Sequence, residues 1–97
     1  MGNLNKKCIF RGTNSGVFYG TLVKHKGQEV TIKNCRRIWY WDGANSVSQI
    51  AVDGVEFPEN CKFTVAVESI TILDCMEIIP CTNKAINCIE SVPVWKI

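Results

Sequence analysis

Residues 28–41 run from Gln28-Glu29-Val30-Thr31-Ile32-Lys33-Asn34 into Cys35-Arg36-Arg37-Ile38-Trp39-Tyr40-Trp41 without a clear breaker. Val30 and Ile32 fall on one side of the first half and Thr31 and Lys33 on the other, the two-residue period of a strand. The run therefore commits the chain to a sheet. It reads either as one long bent strand or as two shorter ones joined by a bulge at Asn34-Cys35.

Its flanks supply partners. Lys7-Cys8-Ile9-Phe10-Arg11 reads as a short strand, Gly12-Thr13-Asn14-Ser15-Gly16 as a turn cluster, and Val17 to Val23 as a second strand. Gly20 within that second strand signals a bulge or the close approach of another backbone. Lys24-His25-Lys26-Gly27 closes a hairpin, with positive φ expected at Gly27. After the long run, Asp42-Gly43 is a turn. Ser46-Val47-Ser48-Gln49 then fits a capping box, with Ser46 as N-cap and Gln49 at N3. Val47, Ile50 and Ala51 share a helical face, and Gly54 is a natural stop.

Pro58-Glu59-Asn60 predicts a turn. Cys61 to Val67 alternates strictly, placing Phe63, Val65 and Val67 inward, and Glu68-Ser69 ends the alternation. Ile70 to Ile79 reads as the longest strand, with a bulge or two covered faces around Leu73-Asp74. Pro80 ends it, and Thr82 caps a second short helix with Ala85, Cys88 and Ile89 on one face. The apolar tail, with Val94, Trp95 and Ile97, is expected to dock on the body or on a neighbouring subunit. The expected fold is α+β and mainly β: a five- to six-stranded twisted antiparallel sheet or small half-barrel with two short helices.

A chain of 97 residues is expected to form one domain over 1–97. A core this small leaves stability modest, and association into a homo-oligomer is one remedy. The net charge of +2 is too weak to indicate nucleic acid. The polar start, Met1 to Lys7, carries no apolar leader, and no run approaches a membrane span, so a soluble cytoplasmic protein is expected. In that setting Cys8, Cys35, Cys61, Cys75, Cys81 and Cys88 read as reduced thiols. No Cys-x-x-Cys pair occurs and His25 lies in a turn, so no metal and no cofactor is expected.

No catalytic signature occurs: no HExxH, Gly-x-Ser-x-Gly or P-loop, and His25 is the only histidine. A non-enzymatic protein is the expectation. In a strand, Arg37, Trp39 and Trp41 share one face and Arg36, Ile38 and Tyr40 the other. Either face can be the inner one, and both orientations set an arginine beside aromatic rings. Rings stack on planar groups and guanidinium takes phosphate, so Arg36, Arg37, Trp39 and Trp41 are candidate ligand residues. Ser46 and Gln49 build the helix start beside them, with amides at Val47 and Ser48 facing an anion. Lys62 alternates away from the core and is the seventh candidate. The competing reading makes the aromatics core or a subunit interface.

At Arg36-Arg37-Ile38-Trp39-Tyr40-Trp41-x-Gly43-Ala44-x-Ser46-x-x-Gln49-x-Ala51-x-x-Gly54 the chain resembles an uncharacterised family of small proteins from bacteriophages and their bacterial hosts. The likeness continues through Ser15-Gly16-Val17, Pro58-x-x-Cys61-Lys62, Glu77-Ile78-Ile79-Pro80-Cys81-Thr82 and Val92-Pro93-Val94-Trp95. It covers nearly the whole chain. Cys8, Cys35, Cys75 and Cys88 lie outside the motif, in keeping with core fillers. The resemblance supplies a context and no mechanism. It implies a phage accessory protein that sequesters a small nucleotide-like signal of host immunity, or one that inhibits or recruits a host protein.

Overall fold

A computed structural model describes residues 2–97. Met1, the first residue of the polar N-terminal stretch, lies outside them. Three strands, β1 (Lys7–Gly12), β2 (Val17–Lys26) and β3 (Glu29–Tyr40), form an antiparallel meander. Helix α1 (Val47–Asp53) follows, then a 3-10 turn at Pro58–Asn60 and strands β4 (Lys62–Phe63), β5 (Val67–Ile72) and β6 (Cys75–Pro80). Helix α2 (Asn83–Ser91) precedes the tail. β4 and β5 both pair with β3, while β6 pairs with β1 at the opposite edge, giving one unclosed six-stranded antiparallel sheet.

That topology forces curvature. Only Leu73 and Asp74 separate β5 from β6. Two residues bridge about 10 Å, whereas four strand spacings across a flat sheet measure about 19 Å. The sheet must therefore curl until its two edges approach each other at that corner, in keeping with the expected twisted sheet or small half-barrel. The Cys75 amide donates to Gln28 O (2.9 Å) and the Thr13 amide to Asp74 O (3.0 Å), which fastens the corner.

The curled sheet buries residues on both faces. Phe10, Phe18, Leu22 and Ile32 fill the inside of the curl. Ile9, Tyr19 and Ile38 face outward onto Ile50 and Ala51 of α1 and Ala85 and Ile89 of α2. A doubly covered strand has no polar face, which accounts for the unbroken Cys8-Ile9-Phe10.

β3 is one strand and contains the bulge. Tyr19 pairs with Arg36 and Thr21 with Lys33, so β3 carries one residue more than β2 there. Asn34 absorbs it with φ 51°. Val30 and Ile32 point into the curl before the bulge, and Cys35 after it. β2 runs longer than expected, through Lys26, so the hairpin turn is Gly27-Gln28. Gly27 has the expected positive φ, at 60°.

Three expectations are corrected. Cys61–Val67 is not one strand: the ladder breaks at residues 64–66, because the carbonyls of Phe63 and Thr64 turn toward the Arg36 guanidinium. Phe63 is buried, but Val65 and Val67 are each 42% exposed. Glu68-Ser69 is not a breaker and lies within β5. The expected long strand from Ile70 to Ile79 is divided at Leu73-Asp74 by the corner between two ladders. The tail docks on the body, where Val94 bridges Phe63 in parallel and the Trp95 amide donates to Phe63 O (2.9 Å).

All six cysteines are free. Burial pushes the Cys8 thiol up to about 11 and Cys35 to about 12, so both stay protonated and unreactive near neutral pH. The Cys88 thiol donates to Val55 O (3.2 Å) and accepts from the Val55 amide (3.3 Å) beneath the end of α1.

The β1–β2 turn is organised by Asp74. Its carboxylate accepts from the Ser15 hydroxyl (2.6 Å) and from the amides of Asn14 (2.7 Å) and Ser15 (2.9 Å). These bonds, the Ser15 hydroxyl first, hold its pKa below the ordinary carboxylate value. The charged carboxylate thus stabilises the fold above the unfolded pKa of about 4, and that contribution is lost as pH falls through the lower folded value. Urea titrations from pH 6 to pH 2.5 should show stability falling in acid, with a flatter profile in Asp74→Asn. An unchanged profile in that variant would remove Asp74 from this role.

Candidate functional site

Alternation along the end of β3 gives its two adjacent arginines opposite surroundings. Ile38 faces the helices and is buried, so Arg36 on the same face is drawn under them and is only 7% exposed. Its guanidinium donates to four backbone carbonyls: Thr64 O from Nε (2.9 Å), Ile89 O from Nη1 (3.2 Å), and Phe63 O (3.2 Å) and Pro93 O (3.4 Å) from Nη2. Among the described residues it has no carboxylate partner. The carbonyls of the last turn of α2 carry partial negative charge and meet the cation instead. Arg36 is a clamp joining the β4–β5 break, α2 and the tail. It is not free to take a phosphate, contrary to expectation.

Arg37 points the other way and is exposed. Its guanidinium lies 4.5 Å from the centre of the Phe18 ring, and Nη1 donates to Ser15 O (2.7 Å). Trp39, on the same face of β3, is 59% exposed. It stacks on Trp95, 45% exposed, with ring centres 5.2 Å apart and planes 25° from parallel. β4 pairs Lys62 with Tyr40, and the Lys62 ammonium sits 5.2 Å from the Trp39 ring and 5.4 Å from the Trp95 ring. Arg37, Trp39 and Lys62 thus belong to one surface, with Trp95 as a fourth member.

The other candidates fall elsewhere. β3 ends at Tyr40, so Trp41 leaves the row. It packs against the helix-side core and donates from Nε1 to Ala44 O (3.1 Å). Tyr40, which alternation places on the face of Ile38, is exposed, whereas Ile38 is buried. Ser46 Oγ accepts the Gln49 amide (3.2 Å), and Gln49 Oε1 accepts the Asn45 amide (2.8 Å). Both polar groups are thus used to start a helix of seven residues, and neither joins the aromatic surface. The amides of Asn14 and Ser15 are taken up by the chain's own Asp74 carboxylate. Trp95 stands in the sequence as part of the apolar tail and of the Val92-Pro93-Val94-Trp95 likeness, and is not a candidate ligand residue there. Its partner Trp39 lies far away along the chain, and no periodicity links them.

The platform is open. A recess of about 270 Å³ beside it is lined by Thr64, Trp95, Lys96 and Ile97, just under the ~300 Å³ at which small-molecule sites begin. A larger cleft of about 420 Å³ includes Gln49, Asp53, Glu56 and Lys84 in its lining. Its two carboxylates and the Lys84–Asp53 pair (3.5 Å) make it a poor match for an anion. Among the described residues, no group of three or more His, Cys, Asp or Glu is placed to hold a metal ion. No helix among them is long and apolar enough to cross a membrane.

Exposed indoles with a lysine across them and an arginine alongside offer flat π surfaces and positive charge to a partner. Fold and surface together describe a small α+β protein with a curled antiparallel sheet and an aromatic–cationic platform at one end. The chain belongs to the family described as a domain of unknown function (DUF6948), whose model matches residues 5–89. That span includes Arg37, Trp39 and Lys62 and stops before Trp95. No curated protein and no solved structure matches the chain.

Proposed function

We propose that this chain is a non-catalytic binding protein, a phage accessory factor working in the host cytoplasm, that captures a small anionic nucleotide-like ligand on the Trp39–Lys62–Trp95 platform. The observation that carries this reading is the solvent-facing Trp39–Trp95 stack with the Lys62 ammonium against both rings. A base stacks on the outer indole face, and phosphate pairs with Lys62 and Arg37. Because the recess is small and open, one chain covers little of such a ligand, which favours a homo-oligomer in which a second chain completes the enclosure.

Calorimetric titration with cyclic di- and trinucleotides and ADP-ribose derivatives tests the reading. Saturable binding to at least one of them is expected. Absence of heat across the panel would overturn it. A second reading, a module that inhibits or recruits a host protein, draws on the exposed Val94, Trp95 and Ile97 beside Trp39, since tryptophan-centred apolar patches are favoured in protein interfaces. It predicts one co-purifying host protein that is lost on Trp39→Ala. Purification of the bait alone would count against it.

A further inference from the structure

The net charge of +2 conceals an uneven distribution. Between Arg37 and Lys62 the chain carries Asp42, Asp53, Glu56 and Glu59 and no lysine or arginine. The β2–β3 hairpin, at the other end of β3, has the reverse balance, with Lys24, Lys26 and Lys33 against Glu29. Register puts the three lysines on one face. Lys24 pairs with Thr31, Lys26 with Glu29 and Lys33 with Thr21, while β5 sets Ser69 beside Lys33 and Thr71 beside Thr31. The intervening Val30 and Ile32 point into the curl. The lysines therefore look outward, on the side where α1 and α2 cover Ile9, Tyr19 and Ile38. The helices leave the hairpin end of that side open: Lys24, Lys26, Lys33, Ser69 and Thr71 are all exposed.

The chemistry of this open face selects its partner. Among the described residues, none of the three lysines is in an ion pair. Strand geometry sets Lys24 and Lys26 about 7 Å apart. Hydroxyls lie among the ammonium groups: Thr31 and Thr71, with their Oγ1 atoms 3.0 Å apart, and Thr21 and Ser69 on either side of Lys33. Lysine, serine and threonine are donors to phosphate oxygens. Protein interfaces are depleted in lysine and serine and enriched in aromatic residues, whereas nucleic-acid interfaces are polar and strongly positive. The residues of this face include no aromatic ring to stack an unpaired base, which favours a duplex over a single strand.

We propose that the hairpin end of the β2–β3–β5 face binds the phosphate backbone of a nucleic-acid duplex without reading its sequence. Fluorescence anisotropy of the full chain with labelled DNA duplexes of two unrelated sequences tests this. Both should bind alike, with dissociation constants of roughly 1–100 micromolar at about 50 mM salt, and three lysine contacts should give a slope of about −2.7 in log affinity against log salt. Lys24→Gln combined with Lys26→Gln and Lys33→Gln should weaken binding at least about tenfold and flatten the slope, with unchanged circular dichroism. Arginine at the same three positions should bind as the wild type does. Lys84→Gln combined with Arg11→Gln removes two ion-paired cations elsewhere and should change affinity by no more than about twofold. Trp39→Ala should bind the duplex unchanged, which separates this face from the platform proposed above. Absence of binding to either duplex, a glutamine variant that binds as the wild type does, or an equal loss in the Lys84–Arg11 variant would overturn the proposal. So would tighter binding of poly-glutamate than of the duplexes, which would point to an acidic protein instead.

Discussion

Arg36→Met should lower the unfolding free energy by about 4 kcal/mol, within the range for removing one side of a buried charged hydrogen-bond set. For a domain of this size that corresponds to a fall of about 20 °C in Tm. The side chain is 7% exposed and serves four carbonyls from three parts of the chain: Phe63 and Thr64 at the ladder break, Ile89 in α2 and Pro93 in the tail. Methionine fills the space and donates nothing, so those carbonyls stay buried with one partner fewer. Lysine has three donors on one atom and cannot span the fork. Arg36→Lys should recover no more than half of the loss. Urea denaturation measures both variants, and a loss below about 1 kcal/mol in Arg36→Met would reject the clamp. Because Pro93 O is one of the four partners, amide exchange in the tail should also rise in the methionine variant.

Gly20→Ala should cost about 2–3 kcal/mol through overpacking at the β-bulge. A Cβ there would lie 2.4 Å from Ile32 Cγ2, 2.8 Å from Lys33 O and 3.2 Å from Cys35 Cα. The isoleucine methyl belongs to a fully buried side chain. The carbonyl and the Cα belong to the bulged backbone and move only if the bulge moves. Gly2→Ala, with nothing within 4 Å, is the neutral control. Equal stability of the two variants by urea denaturation would mean that the bulge tolerates a side chain.

These two residues mark where sequence reasoning succeeds and where it stops. Gly20 was legible, because a glycine inside a β-branched and aromatic run has few other uses, and β3 opposite it changes parity at Asn34-Cys35. Both helix starts were legible for the same local reason: Ser46 and Thr82 each accept the amide three residues on. Arg36 was not legible as a clamp, since its four partners come from distant positions that alternation along β3 cannot locate. The same long-range contact broke the strand expected from Cys61 to Val67 and exposed Val65 and Val67. Of the candidate ligand residues, Arg37, Trp39 and Lys62 share a surface because β4 pairs with the last turn-free residues of β3. Trp41 departs because that strand ends one residue earlier. Trp95 joins because the tail bridges Phe63, a parallel contact with no signature in local sequence.

The most direct test of the binding account follows the indoles themselves. Tryptophan fluorescence should be recorded while the nucleotide panel is titrated into the wild type, Trp39→Ala and Lys62→Ala. The account predicts a saturable change in the wild type and at least about tenfold weaker binding in Trp39→Ala, as expected for loss of one stacked base. Lys62→Ala should also weaken binding at low salt and flatten its salt dependence, so that the gap to wild type narrows as salt is raised. A flat wild-type titration, or Trp39→Ala binding as tightly as the wild type, would contradict it.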